Sequence, residues 1–144
     1  MRTLKEVRKY LNSIPFINLG GCLFSAYAMY LWLEKNNKLT KNTAIALHYR
    51  NYDRYEFDIN HNILTNNDNS HSPQSCAHAT LFHRKRFIDS EKSLKTPNER
   101  YELCLSTTNK QFILESLKNK DNWNYMFSRE WISEIEETLE ITLT

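Results

Sequence analysis

Asn18-Leu19-Gly20-Gly21-Cys22-Leu23-Phe24-Ser25-Ala26-Tyr27-Ala28-Met29-Tyr30-Leu31-Trp32-Leu33-Glu34-Lys35 is the stretch on which the fold turns. From Cys22 to Lys35 it is apolar almost all round and free of Gly and Pro, which predicts a helix buried on every side. Asn36-Asn37 closes it. The chain has only two glycines, Gly20 and Gly21, and both stand at the mouth of this helix. Glycine is required where the backbone takes a positive φ or another group comes close, as in a turn that feeds a reactive side chain into a cleft.

Upstream, Leu4, Val7, Tyr10 and Leu11 recur at helical spacing with charged residues between them, so a short amphipathic helix is expected over 4–11. Pro15 disfavours helical geometry at Ile14, and a loop then runs to Cys22. Downstream, 43–50 and 54–59 carry β-type patterns and are expected as neighbouring antiparallel strands. The Asn-, Ser- and His-bearing stretch 60–75 reads as an exposed loop. Residues 76–83 and 86–90 form an expected hairpin about the basic turn, followed by a polar linker through Pro97. A strand over 101–106, a helix over 109–117 capped by Thr108 or Asn109, and a last helix over 129–139 capped by Ser128 complete the chain. The expected architecture is α+β, in one domain over 1–144.

The chemistry begins at Cys22. A cysteine in the first turn of a helix meets the positive end of the macrodipole and amides without helical acceptors, which favour thiolate over thiol. The same amides can hold the oxyanion that forms when an acyl carbon is attacked. The alternative is that Cys22 is a small core residue, since cysteine is among the most buried residue types.

His78 is the candidate base. Its strand alternates Cys76, His78, Thr80 and Phe82 on one face with Ala77, Ala79, Leu81 and His83 on the other. A two-residue turn at Arg84-Lys85 pairs His83 with Arg86, Thr80 with Asp89 and His78 with Glu91. Asp89 then shares the face of His78 as a diagonal neighbour about 7–8 Å away at the backbone, within reach of the imidazole. An acid there fixes the imidazole tautomer and stabilises the imidazolium. Glu91 is the fallback. His48 sits mid-strand without an acidic neighbour, His61 and His71 lie in polar loop sequence, and His83 faces away from His78.

Composition narrows the classes. A net charge of +2 is too mild for a nucleic-acid footprint, and the longest basic run, His83-Arg84-Lys85-Arg86, reads as a solvated turn. No stretch reaches the length of a membrane span and no signal core opens the chain, so a cytoplasmic setting is expected. Three cysteines without regular spacing fit reduced thiols, and Cys22, Cys76, His78 and Cys104 lack the paired spacing of a zinc site. No metal and no cofactor is expected.

Asn18-Leu19-Gly20-Gly21-Cys22 opening a helix, then Ser75-Cys76-Ala77-His78-Ala79 on a strand and Phe87-Ile88-Asp89-Ser90 on the next, resembles the papain-like cysteine hydrolase superfamily. The Cys, His, Asp order is most similar to its transglutaminase-like and arylamine acetyltransferase-like branches. The resemblance spans 18–90. It implies a Cys-bearing central helix packed on a small antiparallel sheet with flanking N- and C-terminal helices. It also implies Cys22 as nucleophile, His78 as base and then acid, and Asp89 as third member, with Asn18, Gly20 and Gly21 as oxyanion and support residues. The expected activity is that of a peptidase, amidase, deamidase or transglutaminase-type enzyme. Its substrate would be a protein or peptide, or a small acyl or amide compound. The competing class is a non-enzymatic binding or inhibitor protein that retains this fold.

Overall fold

The computed structural model describes residues 1–49, 55–57, 63–66, 78–97, 103–118 and 126–144. Among them the chain is α+β, with four helices and a five-stranded antiparallel sheet. The elements are α1 (Leu4–Asn12), α2 (Cys22–Lys35), β1 (Ala44–Tyr49), β2 (Tyr55–Phe57), β3 (Ile63–Asn66) and β4 (His78–His83). They continue with β5 (Arg86–Ile88), β6 (Ser93–Leu94), β7 (Leu103–Thr107), α3 (Lys110–Lys118) and α4 (Trp131–Leu139).

Helix α1 starts where the Thr3 hydroxyl accepts the Glu6 amide, and Val7 and Leu11 are its buried stripe. In α2 every residue from Cys22 to Tyr30 is buried, as are Trp32 and Leu33. A helix with no polar side must be covered all round, and α1, α3, α4 and the sheet cover this one. Asn36 ends it, with Asn37 in the left-handed region at φ 55°. The Asn109 side chain accepts the Phe112 amide and caps α3.

The sheet runs β6-β5-β4-β1-β7, which places β1 between β4 and β7. Strand β1 is buried along its whole length, as an interior strand must be. The hairpin β4–β5 has the register the turn spacing predicts: His83 opposite Arg86, Phe82 opposite Phe87 and Leu81 opposite Ile88. Arg84 and Lys85 both take positive φ, 50° and 65°, which suits the right-handed twist of a two-residue hairpin without the glycine usually found there.

Three expectations change. Strands β1 and β2 are not neighbours: β2 pairs with β3 in a separate two-stranded ladder, because β1 takes its partners from β4 and β7 across the chain. The expected loop 60–75 contains β3. The polar linker before Pro97 contains β6, which pairs with β5. The remainder of 60–75, Cys76 and Tyr101 lie outside the described residues. Among the described residues, no helix is long and apolar enough to cross a membrane.

Candidate active site

The approach to Cys22 is shaped by the two glycines, each for its own reason. Gly20 has φ 111°, a conformation that L side chains rarely adopt. At Gly21 the demand is space: a Cβ there would lie 2.7 Å from the Ile17 carbonyl oxygen and 2.8 Å from Cγ of Phe127. The room that sequence reasoning leaves open beside Gly21 is filled by the protein itself. Helical bonding starts with the Ser25 amide on the Gly21 carbonyl, 2.9 Å, so the amides of Cys22 and Leu23 precede it at the mouth of α2.

Strand β4 begins at His78, and its Nε2 lies 3.3 Å from Oδ2 of Asp89. The hairpin register brings them together, since Asp89 follows the last β5 residue on the face shared by Phe87. Asp89 is fixed by a turn of its own. Its Oδ1 accepts the Glu91 amide at 2.7 Å and the Lys92 amide at 2.5 Å, while its own amide donates to the Lys92 carbonyl at 2.9 Å. One carboxylate oxygen is thereby spent on the backbone and the other faces the imidazole. Glu91 serves this turn through its main chain and its side chain is exposed.

Cys22 lies close enough to the same imidazole to raise its pKa alongside Asp89. The structure therefore brings Cys22, His78 and Asp89 to one point from α2, β4 and the turn after β5. Cys22 is buried, only 5% exposed as a residue, whereas the side chains of His78 and Asp89 keep 18% and 14%. Access is narrow.

Asn18 stands within this framework. Its Nδ2 donates to Ser90 Oγ at 2.9 Å, and Ser90 Oγ donates to Asn12 Oδ1 at 3.2 Å. Arg8 Nε donates to the Asp89 carbonyl at 2.9 Å. Helix α1 and the loop ahead of Cys22 are thus tied to the turn that carries Asp89. Sequence reasoning misses Arg8, Asn12 and Ser90, since each bond spans more than seventy residues of chain and follows no periodicity.

His48 is also missed. It lies opposite His78 on β4 and opposite Cys104 on β7. Its ring centroid is 5.9 Å from that of His78, and Nε2 is 2.9 Å from Thr80 Oγ1. The available signal was the alternation of β1, which aligns His48 with Ala46 and Ala44 on one face, but only the strand order shows what that face meets. His83 bonds through Nδ1 to Thr43 Oγ1, away from His78. His61 and His71 lie outside the described residues.

These contacts separate the ionisations. Burial alone would hold His78 neutral, but the hydrogen bonds and charges of Asp89 and Cys22 outweigh it and push His78 up to about 9. Burial likewise opposes ionisation of Asp89. The His78 hydrogen bond, the Lys92 and Glu91 amides and the His78 charge overcome it and hold the carboxyl below its ordinary value. His48 is pushed down to about 4 by burial and by the charge of His78, against a weaker pull from Asp89.

The signs give a stability profile. His48 contributes stability present above its unfolded value of 6.5 and lost as pH falls toward 4. His78 contributes stability fully present below 6.5 and lost as pH rises through about 9. Asp89 adds to the acid limb, its share being lost as pH falls through its depressed pKa. Melting temperature is expected to peak near pH 6.5, each histidine limb amounting to about 3 kcal/mol at most. In thermal melts from pH 4 to 9.5, His48→Asn should flatten the acid limb and His78→Gln the alkaline one; limbs that persist in both variants contradict the assignment.

Among the described residues, no group of three or more His, Cys, Asp or Glu could hold a metal ion. No protein-family model matches the chain, and no curated protein or solved structure matches it.

Proposed function

We propose that the protein is a cysteine-dependent hydrolase or acyl-transferase of the papain-like, transglutaminase-like kind, with Cys22 as nucleophile, His78 as general base and then acid, and Asp89 as orienter. The observation that carries this reading is that one imidazole meets both a thiol at the mouth of a helix and a carboxylate locked by its own turn. A histidine held in the cationic form beside a thiol is the partner a thiolate needs.

In the reaction, the Cys22 thiolate attacks an amide or ester carbonyl, and the oxygen gains the negative charge. The Cys22 and Leu23 amides at the mouth of α2 are oriented toward that charge by the helix they begin. His78, as imidazolium, gives its proton to the departing amine or alcohol as the thioester forms. It then takes a proton from the incoming water or amine, which attacks the thioester and releases Cys22. Asp89 Oδ2 keeps Nε2 engaged throughout, so the other ring nitrogen, Nδ1, moves the proton. Asn18, bonded to Ser90, supports the Asp89 turn. The acyl donor is a protein or peptide, or a small acyl or amide compound.

The test is turnover of an activated ester such as p-nitrophenyl acetate, followed by intact-mass analysis of the quenched protein. A burst approaching one equivalent with the acyl group mapped to Cys22 is expected, and Cys22→Ala should abolish both. Acylation distributed over lysines, or a burst that survives Cys22→Ala, overturns the proposal in favour of a binding protein with the same fold.

A further inference from the structure

The β4–β5 hairpin has a second end. There, on the face of Leu81 and opposite to the face of His78, a cavity of about 330 Å³ opens between the start of α1 and the end of α2. Its rim is cationic, formed by Lys38, Arg84 and Arg86, and its floor is apolar, formed by Leu4, Leu33 and Ile88.

Among the described residues, none of the three cations meets a carboxylate. Arg86 is held by neutral groups, with Nε on Ser93 Oγ at 2.7 Å and Nη2 on the Ser93 carbonyl at 2.8 Å. Its guanidinium is therefore fixed in place with its charge uncompensated. Lys38 Nζ donates to the Arg2 carbonyl at 2.8 Å and lies 5.1 Å from the centre of the Trp32 ring. Arg84 is exposed at a turn position with φ 50°.

One further feature adds positive potential. The first turn of α1 borders the cavity through Thr3 and Leu4, and the Thr3 hydroxyl accepts only the Glu6 amide, which leaves the Leu4 and Lys5 amides ahead of it. Glu6, the acid of that turn, is engaged by the Arg2 amide at 3.0 Å. His83 also lines the space, and burial and then the charge of Arg84 hold it below its ordinary value.

We propose that this cavity binds a small phosphomonoester, with the phosphate among Lys38, Arg84 and Arg86 and an apolar body against Leu4, Leu33 and Ile88. A phosphomonoester carries close to two negative charges at neutral pH and presents three acceptor oxygens, which suits three cations, two of them planar guanidiniums. A carboxylate would offset only one of those charges. The volume is that of a small-ligand site, and it does not depend on Cys22 or its chemistry.

Isothermal titration of the full chain with phenyl phosphate, inorganic phosphate and benzoate, at constant ionic strength set by sodium chloride, tests this. Phenyl phosphate is expected to bind in the millimolar range or tighter, about fivefold or more above inorganic phosphate because of its ring. Benzoate should be weaker than phenyl phosphate by about tenfold or more. The double variant Lys38→Gln/Arg84→Gln, which alters two exposed side chains, should lose at least about tenfold while its unliganded melting temperature stays close to that of the parent. Heat that chloride reproduces, unchanged affinity in the double variant, or benzoate binding as well as phenyl phosphate would each overturn the assignment.

Discussion

Exchanging His78 for alanine is expected to slow turnover of an activated acyl ester by about 10²–10⁴-fold, the range a positioned general acid–base supplies. On the proposed mechanism His78 is, among the described residues, the group beside both Cys22 and Asp89, so that its loss removes the proton carrier and leaves Asp89 with the Glu91 and Lys92 amides. Asp89→Asn should cost less, at least about tenfold: its Oδ1 can still accept the Glu91 and Lys92 amides, but the charge that supports the imidazolium is gone. Steady-state kinetics on both variants, with circular dichroism to verify the fold, measure this. Full activity in His78→Ala would remove His78 from the mechanism.

Gly21→Ala is expected to lower stability by about 1–3 kcal/mol, the usual cost of forcing an extra methyl into packed space. For a chain of this size that is about 3–10 °C in melting temperature. The added Cβ meets the Ile17 carbonyl on one side and the Phe127 ring on the other, and a carbonyl on a bonded turn has little room to yield. Any relief moves the mouth of α2, and with it Cys22, relative to His78. Reactions of this kind lose about 10²-fold for a misplacement near 1 Å. A double-mutant cycle with Phe127→Ala separates the causes: the pair should cost roughly 1 kcal/mol less than the sum of the single changes. Strict additivity, or a Gly21→Ala melt equal to the parent, would show that the close approach is not what glycine provides there.

Local physics made much of this site legible in the sequence. The limits of α2 follow from an unbroken apolar run between a glycine pair and two asparagines, and nothing tertiary is needed to place Cys22 at its first turn. The hairpin register follows from counting outward from Arg84-Lys85, although the turn lacks the Asn-Gly signal that would have marked it. What stayed hidden depends on contacts distant in sequence. The pairing of β1 with β4 and β7 sets His48 against His78, and no local pattern encodes that choice of partners. The bonds from Arg8, Asn12 and Asn18 to the Asp89–Ser90 turn are isolated polar contacts between elements. The short strand β6 is two residues long, too few for an alternation to register. The basic turn, read as a solvated surface, borders a cavity only because α1 and Lys38 close in on it.

The most direct measurement of the central claim is the rate at which iodoacetamide alkylates Cys22 at pH 6, followed by peptide mapping in the native protein and in urea. An ordinary thiol with a pKa near 8.5 is only about 0.3% thiolate at that pH. With His78 beside it, Cys22 is predicted to react at least about tenfold faster in the native chain than in the unfolded one, despite its narrow access. Cys104, whose thiol burial pushes up to about 11, should react more slowly in the native chain than in urea. Native Cys22 reacting no faster than unfolded Cys22 would contradict the account, leaving a sulfur that packs the core and no nucleophile.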